Sequence, residues 1–443
     1  MHNLKDADRA STYGALFQRI RTRKFNMAVL GLGRVGLPLA SIFASKGVKV
    51  IGVDNDMNRV HEVNSGAVPF ADKGLAEYLQ LAIRNKKLKA TNDARMLRRS
   101  DVIIISVGTP ITADLRPDYG QLYSALRSIT ANLMRGTLIV LRSTVPPMAT
   151  ENIVLSFIES NTGYSLGKGF WQATCPERIL EGHAIEELFE IPDIIGCSDK
   201  ESAMLTAELF KIIKPKKKLL ITSPRIAELA KLFSNVYRYV NFAIANEFGL
   251  MAEEFGVDAY EAIRIANEDY KRGGIPLPGP AGGPCLYKDG YFLTEGIPFS
   301  DITKTAWHIN EAIPSHIVFK IKRVMRKPLH DVKICVLGMA YKADSDDTRY
   351  SPAMKLIGCL RGEGAQVQTH DPHIANTLSL ESACHDAEIV ILAVNHSEFR
   401  RLDLRKIARL AKKGCLMVDC WGMINPRAAE KCRIQYLGFG RGS

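Results

Sequence analysis

Between Phe25 and Asp54 the chain has little freedom in what it can become. An apolar stretch, Phe25 to Leu30, runs into Gly31-Leu32-Gly33-Arg34-Val35-Gly36; a helical pattern follows to about Lys46, then a second apolar stretch, Val48 to Val53, ending at Asp54. Strand, glycine turn, helix, strand and acid, in that order, form a dinucleotide-binding βαβ unit. Gly31 permits the tight turn, Gly33 lets a pyrophosphate approach the backbone, and Gly36 lets helix and strand pack closely. Arg34 and Val35 complete the turn. Asp54 can accept hydrogen bonds from the adenosine ribose and repels a 2′-phosphate, so the spacing predicts NAD rather than NADP. Arg59, close behind, is the one feature that favours a phosphate.

The same alternation continues. Asp101 to Val107 reads as a strand ending in Gly108-Thr109-Pro110, Thr137 to Arg142 as one ending in Ser143-Thr144-Val145-Pro146-Pro147, and Phe170 to Thr174 as one ending in Cys175-Pro176-Glu177-Arg178-Ile179-Leu180-Glu181-Gly182. An open parallel sheet presents its ligands at this carboxyl edge, although Gly, Thr and Pro also simply stop strands. From Ser223 the pattern changes. Ile226, Leu229, Phe233, Val236, Val240, Ile244, Phe248 and Met251 recur at three- and four-residue steps, which predicts one long helix with an apolar stripe, suited to joining domains or building a dimer interface. Glu228, Lys231 and Asn235 share another face. After a Lys-Pro linker near Arg326 to Asp331, strands at Val332 to Leu337, Gln366 to Thr369, Ala387 to Val394 and Cys415 to Asp419 outline a second, smaller doubly wound domain. The fold class expected is therefore α/β: two Rossmann-like doubly wound domains joined by a long central helix and a helical middle domain. The boundaries expected are an N-terminal extension over 1–24 with a short helix near Tyr13 to Ile20, a NAD-binding domain over 25–222, a central dimerisation domain over 223–326 and a C-terminal Rossmann-like domain over 327–443.

Bulk properties exclude more than they select. No apolar run has the roughly 18 residues of a membrane helix, and the polar N-terminus does not read as a secretory signal. Nine cysteines without a Cys-X-X-Cys spacing suit a reducing, cytoplasmic setting and offer no zinc motif; His370 and His373 read as a strand end and loop. The net charge of +12 favours polyanionic ligands in general. Its clusters, Arg19, Arg21, Arg23 and Lys24, and Lys214 to Lys218, lack interleaved aromatic residues. They read as a solvated extension and a solvated turn rather than a nucleic-acid site.

The chemistry lies in Gly279-Pro280-Ala281-Gly282-Gly283-Pro284-Cys285-Leu286-Tyr287-Lys288-Asp289. Gly282 and Gly283 let a ligand approach the backbone, and a helix starting near Cys285 would favour its thiolate, as would Lys288. The plainer alternative is a cysteine in a turn, as ordinary as Cys335 in an apolar strand or Cys359 in a helix.

This run resembles the Gly-Gly-X-Cys-X-X-Lys-Asp motif of the UDP-glucose/GDP-mannose dehydrogenase family, and the resemblance extends from about residue 26 to 425. Such nucleotide-sugar 6-dehydrogenases oxidise a C6 alcohol to the uronate with two NAD, for polysaccharide synthesis. The resemblance implies that Cys285 is the nucleophile and that Lys231 and Asn235 reach the sugar and the oxyanion. It also implies that Asp289 shares proton handling with Lys231 and that Glu177 is the general base for thioester hydrolysis. It places Thr109, Pro110, Ser143, Thr144, Glu181, Lys288 and Arg349 at the cofactor, beside Gly31, Gly33, Arg34, Val35, Gly36, Asp54 and Arg59. Arg178, Ile179, Leu180, Gly282, Gly283 and Lys342 would contact the nucleotide sugar, with Arg272 doing so from a neighbouring subunit. No metal is implied. Three positions depart from the pattern: Pro284 lacks a backbone N–H, Met148 stands where the family usually has Gly, and Tyr287 replaces Pro or Gln.

The substrate is drawn two ways. Pro176 to Leu180 and Pro278-Gly279-Pro280 resemble enzymes of UDP-N-acetylhexosamines, whereas Glu181-Gly182 and Lys288-Asp289 resemble UDP-glucose 6-dehydrogenases; the expectation leans to the former. A catalytically silent nucleotide-sugar binding protein would lose Cys285, Lys231 or Glu177, and all three are present. A simple hydroxyacid dehydrogenase would have no use for Cys285. The partners expected are a UDP-sugar and further copies of the chain, as a homodimer or higher homo-oligomer through the central helix, with no nucleic acid and no membrane insertion.

Overall fold

The computed structural model describes residues 13–294 and 297–442, so the first half of the extension, residues 1–12, lies outside the described residues. Two compact units are present, residues 1–233 with 291–295, and residues 234–290 with 296–443.

The first unit holds an eight-stranded sheet: β1 (Asn26–Leu30), β2 (Lys49–Val53), β3 (Leu88–Thr91), β4 (Val102–Ile105), β5 (Thr137–Leu141), β6 (Phe170–Thr174), β7 (Asp193–Gly196) and β8 (Leu219–Thr222). Their order is β3-β2-β1-β4-β5-β6-β7-β8, parallel throughout except between β6 and β7. The first six strands thus follow the dinucleotide-binding order, with the switch point between β1 and β4. Every residue of β4 and β5 is buried, because helices cover both faces of a parallel sheet. Register then sets the site. Val53, Leu30, Ile105, Leu141 and Thr174 pair in one row, so the segments that follow each of them leave the sheet along the same edge.

The helix Tyr13–Arg21, which falls in the expected extension, packs into this unit's core. Leu16 and Ile20 are fully buried there, each burial contributing about 1.5–3 kcal/mol, and Arg19 reaches Asp101 at 2.8 Å.

In the second unit β9 (Lys333–Leu337), β10 (Gln366–His370), β11 (Ile389–Leu392), β12 (Leu416–Asp419) and β13 (Gln435–Gly438) form a parallel sheet ordered β10-β9-β11-β12-β13. The loop after β9 turns at Gly338, φ +92°, where a Cβ would lie 2.5 Å from Val394 Cβ, so only glycine fits. The helix Pro224–Glu254 is the expected long one, at 31 residues. Its apolar stripe faces outward: Ile226, Phe233, Ile244, Phe248 and Met251 are exposed, while Glu228, Lys231 and Asn235 are buried. Among the described residues no helix is long and apolar enough to cross a membrane.

Four strands, β3, β7, β8 and β13, do not stand out in the sequence. Each has only four residues, too few to show a period, and β7 begins with a charged residue, Asp193.

Candidate active site

In the first unit the glycine turn is built as its spacing requires. Gly31 has φ +87° and a Cβ there would meet Ser106 O at 2.3 Å; a Cβ on Gly36 would meet Gly31 O at 1.9 Å. A Cβ on Gly33 would meet nothing within 4 Å, so open space lies over the turn, as the approach of a pyrophosphate demands. The helix Gly36–Ser45 begins at this turn without a side-chain cap, and the positive end of its dipole suits the charge of a dinucleotide. Asp54 braces the turn by accepting Leu32 N at 2.7 Å. Arg34 and Arg59 flank the ring of Phe70, at 5.0 and 5.4 Å, and Arg34 also pairs with Glu181 at 2.8 Å. Two segments chosen from the sequence, the glycine turn and the loop after β6, are therefore joined by an ion pair. Thr109 donates to Thr144 O, and Ser143 donates to Val107 O at 2.7 Å, tying the loops that carry Pro110 and Thr144 to each other.

The loop after β6 is organised by Glu177. Its Oε1 accepts Arg178 N at 2.7 Å and Ile179 N at 3.1 Å, and its Oε2 accepts Arg142 Nε at 2.7 Å. Arg142 also donates to Asp193 Oδ1 at 2.9 Å, and Asp193 Oδ2 meets Lys217 Nζ at 2.9 Å. Burial works against a charged guanidinium, but Glu177 and Asp193 outweigh it and hold Arg142 more basic than an ordinary arginine. Arg178 turns its guanidinium to Pro192 O, and Leu180 is exposed. Lys217 corrects one expectation: within a lysine run that reads as a solvated turn, it is buried, because Asp193 and Leu188 O supply partners inside. Arg142 was visible only as a charge ending the apolar strand Thr137 to Leu141.

Glu228 is a second residue whose role the spacing does not reveal. It accepts Met148 N at 2.7 Å, Thr150 N at 2.8 Å and Thr150 Oγ1 at 2.6 Å, fastening the loop after β5 to the central helix. Met148 there has φ +70°, a left-handed conformation that accounts for a position usually held by Gly. Burial pushes the Glu228 carboxyl above its usual range, against the pull of these three donors.

The second unit carries the thiol. Cys285 is exposed and immediately precedes the helix Leu286–Thr294, its carbonyl accepting Asp289 N at 3.0 Å. Gly283, φ +99°, lies where a Cβ would come 2.3 Å from the ring of Tyr341, and a Cβ on Gly282 would come 2.7 Å from Tyr350 O. Gly283 N donates to Tyr350 O at 3.0 Å. Asp289 is 1% exposed; Asn235 Nδ2 donates to its Oδ2 at 2.6 Å and Lys288 Nζ to its Oδ1 at 3.1 Å. Lys231, buried, precedes Asn235 by one turn of the same helix. Tyr287 stacks on Tyr350, ring centroids 4.7 Å apart, with Lys355 Nζ 4.5 Å from its ring centre. Arg349 forks onto Asp347, in the loop that also carries Lys342. Arg272 is exposed and lies against Tyr270.

Asp344, His373, His396 and Glu398 offer potential ligand atoms within 4.8 Å of one another. His396 already has both ring nitrogens occupied, by Asp344 N at 2.9 Å and Asp371 at 3.2 Å, and His373 Nε2 lies 3.3 Å from Glu398.

A glycine turn braced by an acid at the switch point of a parallel sheet defines a dinucleotide-binding protein. Comparison with known families identifies which one. Residues 25–214 match the NAD binding domain, 225–312 the central domain and 335–426 the UDP binding domain of the UDP-glucose/GDP-mannose dehydrogenase family. The chain belongs to that family, and is a nucleotide-sugar dehydrogenase. A UDP-N-acetyl-D-mannosamine dehydrogenase of Pyrococcus horikoshii is 37% identical over 94% of this chain and 99% of its own, and one of Methanocaldococcus jannaschii 34% identical over 94% and 97%. The solved structure of the UDP-D-ManNAc dehydrogenase from P. horikoshii superposes with a TM-score of 0.88, at 34% identity, over 94% of this chain and 99% of that one.

Proposed function

We propose that this protein oxidises the C6 alcohol of a UDP-N-acetylhexosamine to the uronate, with N-acetylmannosamine as the first candidate sugar. The observation that carries the reading is Cys285, exposed at the start of a helix, with Asp289 buried in the first turn of that helix and bonded to Asn235 of the long helix. A four-electron oxidation that holds its aldehyde needs a nucleophile, and a thiol at a helix N-terminus is one. Gly31 to Gly36 and Asp54 would hold NAD, which would supply the hydride acceptor for each oxidation.

Lys231 and Asp289 handle the proton lost from the alcohol. Cys285 adds to the aldehyde, and Lys231 and Asn235 steady the resulting oxyanion, since donors aimed at developing charge are usually the largest catalytic contribution. The second oxidation leaves an acyl thioester on Cys285, and Glu177 takes a proton from the water that cleaves it, restoring the thiolate. Arg178, Ile179, Leu180, Gly282, Gly283 and Lys342 contact the nucleotide sugar. Both named relatives act on UDP-N-acetyl-D-mannosamine, which supports the choice of sugar. The exposed apolar stripe of the central helix supports a homodimer, and nine cysteines without a disulfide suit the cytoplasm.

The test is NADH formation by the purified protein with UDP-N-acetylmannosamine, UDP-N-acetylglucosamine, UDP-glucose and GDP-mannose in turn, beside Cys285→Ala. Two NADH per N-acetylated sugar, lost in the variant, is the expected result. Activity confined to UDP-glucose would move the substrate to that reading, no NADH with any donor would favour a binding protein, and one NADH with free aldehyde would overturn the thioester.

A further inference from the structure

We infer that Arg142 is a positioning residue for the hydrolytic half of the reaction: it fixes the Glu177 carboxylate, and without it the protein stalls with the sugar held on Cys285. The inference rests on the thioester reading given above.

Arg142 immediately follows strand β5 and its side chain is 1% exposed. Its fork reaches three acceptors at once: Glu177 Oε2 from Nε at 2.7 Å and from the second terminal nitrogen at 2.5 Å, Cys175 O at 3.0 Å, and Asp193 Oδ1 at 2.9 Å. Lys217 closes the far side of Asp193, so two cations and two carboxylates neutralise one another in the interior. Together with the N–H groups of Arg178 and Ile179, the Glu177 carboxylate accepts three hydrogen bonds and makes one further ion-pair contact, close to the capacity of its two oxygens. It has no freedom to rotate. A water can reach it only by displacing one donor, and the longest of these bonds, Ile179 N at 3.1 Å, belongs to the loop rather than to the buried fork. The fork therefore holds Oε2, and Oε1 can take a proton from water only where the Ile179 N–H lets go.

Stability does not account for this cluster. Buried ion networks are often matched or exceeded by apolar side chains of similar volume, so four charged groups at the carboxyl edge of β5 and β6 indicate a demand other than stability. Nor would lysine serve. A point charge cannot bridge Glu177, Asp193 and Cys175 O, which lie along different directions from the planar guanidinium. In the step concerned, water oxygen bonds to the acyl carbon, its proton passes to Glu177, the C–S bond breaks and the thiolate of Cys285 departs with the electron pair.

The test mixes full-length R142M and R142K rapidly with NAD and the active UDP-sugar, following NADH and the intact mass of the protein. Both oxidations precede hydrolysis, so a burst of two NADH per site is expected. Slow turnover follows, reduced on the order of 10- to 100-fold, and the protein carries the added mass of the sugar acyl group. Turnover equal to the unaltered protein, or slow turnover with neither burst nor adduct, would overturn the assignment. Should R142M not fold, D193N keeps the guanidinium but loosens its anchor, and predicts a smaller burst with the same adduct; its absence in a folded D193N would also overturn it. Failure of the thioester reading itself would look different: Cys285→Ala would then still release two NADH per sugar.

Discussion

Asn235 donates its side-chain N–H to the Asp289 carboxylate across 2.6 Å, between two side chains that are both buried. Neither residue has water to fall back on. Asn235→Ala is expected to leave one oxygen of Asp289 short of a partner, lowering stability by about 1–3 kcal/mol and kcat on the order of 100-fold if the amide also holds the oxyanion. Thermal melts and NADH rates on the same preparation separate the two losses. A destabilised variant with unchanged kcat would restrict Asn235 to holding Asp289.

Replacing Cys285 separates chemistry from binding. Cys285→Ser should retain NAD binding, since Cys285 belongs to the second unit and the glycine turn to the first, while formation of the uronate falls by at least about 1,000-fold. Isothermal titration with NAD and product analysis check the two halves. Uronate formed at an unchanged rate would remove the thiol from the mechanism.

Glu228 offers a purely structural comparison. Glu228→Gln would bring an amide NH2 against donors that now point at carboxylate oxygens, Met148 N and the two groups of Thr150. A loss of about 1–3 kcal/mol is expected, measured by urea unfolding.

A pH signature follows from Glu253. Burial alone would raise its carboxyl, but His316, Lys320 and Gly440 N, each 2.7 Å away, hold it below the usual range. A depressed acid contributes stability that is complete above its unfolded value and is lost as pH falls through the lower folded one. The melting temperature of Glu253→Gln should therefore lie below that of the unaltered protein at pH 7. The gap should close below about pH 4.5. A gap independent of pH would remove the carboxylate charge as its cause.

The outward stripe of the central helix predicts a self-association surface. Phe233, Phe248 and Met251 are 55%, 37% and 48% exposed, more apolar side chain than a surface helix ordinarily leaves in water. Phe248→Lys with Met251→Lys should shift the protein by light scattering from a dimer toward its 49.1 kDa monomer. A monomer before any substitution would end that expectation.

Local patterns were legible wherever one segment carried its whole signal. The glycine turn, Asp54, the central helix and the Cys285 loop are such segments, because turn geometry, helical period and reactive grouping are written within a few residues. Lys217 shows where that stops: in sequence it is one lysine among four, and only Asp193, at the start of a distant strand, makes it a buried ion-pair partner. The outward direction of the helix stripe was likewise not legible, since the period states that a face is apolar but not what it meets.

By itself, then, the sequence determined two doubly wound domains, the cofactor turn and a cysteine at the start of a helix, each through short-range backbone and periodicity constraints. Only the tertiary structure decided which charges became partners. Arg142 with Glu177 and Asp193, Arg34 with Glu181, and Asn235 with Asp289 lie between 35 and 147 residues apart, and are brought together by strand register and helix packing, to which no local pattern refers.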